Sequence, residues 1–183
     1  MSKVLVDYKY PLLPPIKMLS NLFAVILVGG FPVLWTYFVA IRQPQRVKEQ
    51  LYVPDVMYRF WLVSMVLTVV SYFALAYTFV FGGEDIFQQK AKDVEPYLCA
   101  VYLLFLASAG HWVYCILLDI EYGRKSNWHL INLYATACMS VLIALLAFGI
   151  KDNVVAKLSG VWLAFHHLVF DAMLWFNMWE PEY

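Results

Sequence analysis

His167 and Asp171 stand four residues apart in an otherwise apolar stretch, the spacing that brings two side chains together on one helical turn. A carboxylate so placed accepts from the imidazole. Such a pair holds a histidine in one tautomer, relays a proton, or neutralises two buried polar groups, and the spacing alone leaves all three open. His166 is turned about 100° from His167 in an α-helix and is expected to face lipid or another helix. His111 continues a second polar line with Ser108 and Cys115. Two further lines follow helical steps: Ser64, Thr68, Ser71 and Thr78, and His129, Asn132, Thr136 and Ser140.

The chemistry these residues do not make is equally definite. A metal site needs three or four converging ligands, and no ligand-pair spacing such as HExxH occurs, so no metal ligand is assigned. Cys99, Cys115 and Cys138 lie in apolar runs without CxxC spacing and read as small buried hydrophobes. No nucleophile motif, phosphate-binding loop or pair of acids for glycoside chemistry is present, so no catalytic residue is assigned.

The elements that must carry these residues are membrane helices. The 183 residues are 63% hydrophobic and 14% charged, against about 45–50% and 25% in soluble domains, and the mean hydropathy is +0.66. A water-soluble chain of this length cannot bury so much apolar surface. Five apolar runs, 19–41, 60–81, 97–118, 128–150 and 158–179, have the roughly 20 residues needed to cross hydrocarbon. Asp171 is the only Asp, Glu, Lys or Arg within them. The reading is an all-α membrane protein: one domain, a bundle of five transmembrane helices joined by short loops.

An ionisable group at that depth is expensive and should face the bundle interior. Small and hydroxyl residues at helical spacing also pack membrane helices closely, as the Ser140/Ala144 pair would. Gly29, Gly30 and Pro32 predict a kink or a close contact in the first helix. Trp61, Tyr97, Trp128, Trp175 and Trp179 fall where aromatic belts sit. The first eighteen residues carry Pro11, Pro14 and Pro15 and no continuous apolar core, so the first helix is expected to serve as the insertion signal. Orientation is not readable, because Lys and Arg divide seven to six between the two sides. Zero net charge gives no basic surface for nucleic acid.

The second half of the chain resembles the TspO/translocator-protein family, the tryptophan-rich sensory proteins. The similarity runs through His111-Trp112, Trp128-His129-Leu130-Ile131-Asn132, Trp162-Leu163-Ala164-Phe165 and Trp175, in the family's order. The pattern departs from the family in Val113-Tyr114-Cys115, where a Pro pair would follow the tryptophan, and in His111 and Asn132, which replace Asn and Asp. The resemblance implies a pocket between helices for a flat apolar molecule such as a tetrapyrrole or sterol. Trp112, Tyr114, Trp128, Trp162 and Trp175 would wall it, and His111, Asn132, His167 and Asp171 would orient the ligand.

Three readings follow. A small-molecule binding or transport protein predicts that the polar lines of the third, fourth and fifth helices converge on one cavity. A non-catalytic subunit or assembly factor of a larger membrane complex, or a homo-oligomer, predicts close small-residue packing and polar faces turned to partners. A membrane enzyme of sterol-isomerase type would use His111, His167 or Asp171 as acid or base, and predicts that these groups line a closed cavity within reach of one another.

Overall fold

The computed structural model describes residues 19–42, 55–87, 91–122, 128–150 and 152–173, and among these there are helices and no strand. The helices are α1 (Ser20–Ile41), α2 (Asp55–Phe87), α3 (Ala91–Tyr122), α4 (Trp128–Phe148) and α5 (Val154–Phe165). A π-helical segment, His166–Met173, continues α5. The first four are long and apolar enough to cross a membrane. The fifth, expected as a full span, has 12 α-helical residues, about 18 Å at 1.5 Å per residue. The last part of the expected span, including Trp175 and Trp179, lies outside the described residues.

The loops expected on either side of α2 and α3 are shorter than their polarity suggested. The stretch 82–96 carries two glycines, four acids and two lysines, yet α2 runs through Gly82 and Gly83 to Phe87 and α3 begins at Ala91. Charged residues at the ends of long helices cost nothing in water. Polarity therefore marked where hydrocarbon would end, not where helix ends.

Helices adjacent in sequence are not all neighbours in space. α3, α4 and α5 pack in sequence, α1 lies against α3, and α2 lies against α5, while α1 and α2 touch each other little. The first helix owes its seat to its small residues. Gly29 lies beside Leu106, and Gly110 beside Val33. At the start of α1 the backbone N–H of Leu19 donates to the Val80 carbonyl at 3.0 Å. Those of Asn21 and Leu22 donate to Glu95 Oε1 at 2.8 and 3.2 Å. A carboxylate from α3 thus satisfies N–H groups that a helix start leaves open, at the end where negative charge is favoured.

Between α4 and α5 the backbones approach closely. Gly160 faces Ala144 and Ala147, and a β-carbon built on it would lie 3.0 Å from Ala144 Cα and 3.1 Å from Ala147 Cβ. Ser140, Ala144, Ala147, Ser159 and Gly160 are all buried there, the close packing expected of Ser140/Ala144. The hydroxyls of Thr68, Thr78, Ser108, Thr136 and Ser140 donate to carbonyls of their own helices. Thr136 Oγ1 also lies 3.0 Å from Ser108 Oγ, a hydroxyl contact that joins α4 to α3.

The chain turns tightly from α4 into α5. Asp152 takes a positive φ of 52°, a conformation Asp tolerates better than most residues. Asn153 then caps α5, its side chain accepting from the Ala156 N–H at 2.9 Å. Asn153→Ala is expected to cost about 1 kcal/mol, measurable as a lowered midpoint of unfolding in mixed detergent micelles.

Candidate functional site

Six side chains from α2, α5 and the π-helical segment form a buried polar cluster. Asp171 is fully buried, and among the described residues it is the one buried acid, with no Lys or Arg buried beside it. Trp61 Nε1 donates to Asp171 Oδ1 at 3.0 Å. Ser64 Oγ lies 2.8 Å from His166 Nδ1, and His166 Nε2 lies 3.5 Å from Asp171 Oδ1. His167 Nδ1 is 2.8 Å from the Leu163 carbonyl, and its Nε2 is 3.9 Å from Asp171 Oδ2. Trp162 Nε1 donates to the Ser64 carbonyl at 3.4 Å. His167 also sets its ring edge-on against Phe105, 5.3 Å between centroids.

The π-helical winding makes this cluster possible. In an α-helix residue i+5 is rotated about 140° from residue i, which would turn His166 away from Asp171. Hydrogen bonding from i to i+5 widens the turn, so both histidines reach the same carboxylate. His166, expected to face lipid or another helix, is 1% exposed and part of the site.

The partners fix the protons. A carbonyl only accepts, so His167 Nδ1 carries hydrogen and, in the neutral ring, Nε2 is an acceptor. That nitrogen and Asp171 Oδ2 then face each other as two acceptors, beyond hydrogen-bond reach. The expected bond from His167 to Asp171 within one helix is therefore not made. His166 serves better: with Ser64 O–H donating to Nδ1, its Nε2–H is turned to Asp171 Oδ1. Asp171 Oδ2 has no hydrogen-bond partner in the structure.

The other expected residues divide. Trp112 is buried in the apolar cluster that holds Trp61, Leu133 and Ala172, its ring edge-on to Tyr37. With Trp162, His167 and Asp171 it belongs to this end of the bundle. His111 does not. The buried line on α3 runs through Ser108, Trp112 and Cys115, and His111, about 60° off that line, is exposed beside Tyr114. Trp128 is 63% exposed, and Asn132 donates to the Trp128 carbonyl of its own helix at 2.8 Å. Trp175 lies outside the described residues. Trp61 and Ser64 were readable only as belt and packing residues, although Trp61 extends the Ser64/Thr68 line by one step of three.

Two cavities lie between α1 and α2, where these helices part. One, of about 340 Å³, has an apolar wall including Val33, Met65, Val69 and Ala109 and reaches His166 and His167. The other, of about 740 Å³, is lined by residues such as Phe31 and Phe73. Both use Gly30, Leu34 and Tyr72 as walls. The polar lines of α3 and α4 meet in the Thr136–Ser108 contact, so the cavity that reaches the histidines is not the one expected from the third, fourth and fifth helices. Of the three groups offered as acid or base for an isomerase-like site, His167 and Asp171 lie together and His111 is exposed. No protein family, curated protein or solved structure matches the chain.

Proposed function

We propose that this chain is a multi-pass membrane protein of five spans that binds or moves an apolar small molecule in the cavity between α1 and α2. The observation that carries the reading is the 340 Å³ cavity, apolar along its walls and ending on His166 and His167. Its size falls within the range of about 300–1,000 Å³ for small-molecule sites, and a few convergent polar groups on an apolar wall are what such sites use for orientation. A flat molecule of tetrapyrrole or sterol type, as the TspO-like pattern implies, would extend into the adjoining 740 Å³ space. Exposed apolar side chains of both helices border the seam, among them Phe31, Leu34, Val66 and Val70, the kind of surface that lipid would cover.

The test is a titration of the purified protein in lipid nanodiscs with protoporphyrin and with a fluorescent sterol, followed by tryptophan quenching. Saturable quenching is expected, weakened about tenfold or more by Val69→Phe, which fills the cavity from a half-buried position on its wall; a tenfold loss corresponds to about 1.4 kcal/mol. Linear quenching, or saturation indifferent to Val69→Phe, would overturn the reading. Native purification with stoichiometric protein partners and no small molecule would instead favour a subunit of a larger complex.

A further inference from the structure

The polar end of the cavity has more acceptors than donors. Asp171 Oδ1 receives Trp61 Nε1 at 3.0 Å, while Oδ2 receives nothing. His167 Nε2, left without hydrogen by the Nδ1 bond to Leu163, stands 3.9 Å from that oxygen. Tyr72 Oη, on the wall shared by both cavities and without a hydrogen-bond partner, can donate as well as accept. Two acceptors facing each other across 3.9 Å repel. A buried carboxylate with no Lys or Arg beside it, flanked by His166 and His167 as neutral rings, calls for positive charge from elsewhere.

We infer that the cavity takes a lipophilic primary amine, its ammonium group docking on His167 Nε2 with Asp171 as counter-charge. This rests on reading the cavity as a binding site. An ammonium fits the atoms better than other heads. It has three N–H donors, enough for the ring nitrogen and for the carboxylate oxygen beside it, whereas an alcohol has one. A quaternary ammonium has the charge but no donor. A carboxylate head adds a further acceptor to a site already short of hydrogen. The apolar walls beyond the histidines take the hydrocarbon part. Asp171 is fully covered by its neighbours, so direct contact with Oδ2 requires the His167 ring to give way slightly as the head arrives.

Four probes of equal chain length separate these features: decylamine, decanol, decyltrimethylammonium and decanoate. Each is titrated against the protein in nanodiscs, with protein-free nanodiscs as the blank, and affinity is read from the shift in unfolding temperature. Decylamine is expected to bind at least about tenfold tighter than the other three, the least discrimination expected when a charge-assisted hydrogen bond is lost. Asp171→Asn keeps the acceptor for Trp61 and adds an amide NH₂ facing His167 Nε2. The variant should therefore fold with an unchanged or higher unfolding temperature while losing about 10- to 100-fold in decylamine affinity.

Equal binding of decylamine and decanol, or of decylamine and decyltrimethylammonium, would overturn the inference. So would unchanged decylamine affinity in a folded Asp171→Asn protein. Should that variant not fold, the ranking of the four probes on the wild-type protein decides. Val69→Phe separates the two levels. If it abolishes binding of all four probes and they bind equally, the cavity stands and the amine falls. If it changes none of them, both fall.

Discussion

Gly160→Leu should separate α4 from α5 and lower stability by about 3 kcal/mol, the upper end of the usual cost of overpacking. A β-carbon at this position meets Ala144 Cα at 3.0 Å and Ala147 Cβ at 3.1 Å, and one of these is backbone. No rotamer change relieves a backbone contact, so the helices themselves must move apart. In a bilayer that movement is not opposed by a hydrophobic effect between helices, since lipid tails are as apolar as the side chains they replace. What is lost is close contact along the interface, including the burial of Ser140 and Ser159. Gly160→Ala should cost less, because it adds the β-carbon alone and the two helices need give by only a few tenths of an ångström. Gly29→Ala should be milder still, because its closest contact is the terminal methyl of Leu106. Unfolding in mixed micelles reads all three variants, and equal stability of Gly160→Leu and wild type would refute the close packing described for α4 and α5.

The second large effect is expected from Asp171→Leu. Leucine has similar bulk but accepts nothing, so Trp61 Nε1 loses its partner and the Nε2–H of His166 loses the oxygen it faces. A buried donor left open costs about 1–3 kcal/mol, and the two together should cost about 3 kcal/mol. The comparison with Asp171→Asn isolates the cause, because the amide retains an oxygen for Trp61 and removes the negative charge. Leucine strongly destabilising and asparagine neutral is the pattern of a residue that organises hydrogen bonds. Equal loss in both would mean that the carboxylate charge itself is needed for folding. Equal tolerance would mean that the Trp61 contact contributes nothing.

How far these features could be read in advance depended on which interaction set them. The apolar runs marked α1 to α4 to within a few residues where hydrocarbon length decides, as at Ser20–Ile41 and Trp128–Phe148. They failed at the far end of α2 and the near end of α3, where charged residues continue a helix into water. Asp171 and His167 stood out because an ionisable group is costly in such surroundings. His111 stood out for the same reason but is exposed, since helical steps of three and four span about 100° of circumference and two candidate lines could be drawn on α3. His166 does meet another helix, at Ser64 of α2, but its simultaneous reach to Asp171 does not follow from 3.6 residues per turn. The sequence does contain a hint: two adjacent histidines precede one acid by five and four residues, and only a wider turn serves both. The partner elements were harder. α2 lies on α5 and α1 on α3, and nothing in the chain order foretells that the cavity opens between the first two helices.

The winding of His166–Met173 also bears on how this segment can change over generations. Elsewhere in the chain, a residue gained or lost between helices alters a connection and leaves each packed face as it was. Within these eight residues a single deletion would restore the narrower winding; the wider turn advances fewer degrees per residue, so the two changes largely offset in phase, but every spacing from His166 to Asp171 that the cluster uses is reset. Substitutions here change one contact at a time, whereas a change of length dismantles the cluster in one step. The number of residues between His166 and Asp171 is therefore as much a part of the site as their identities.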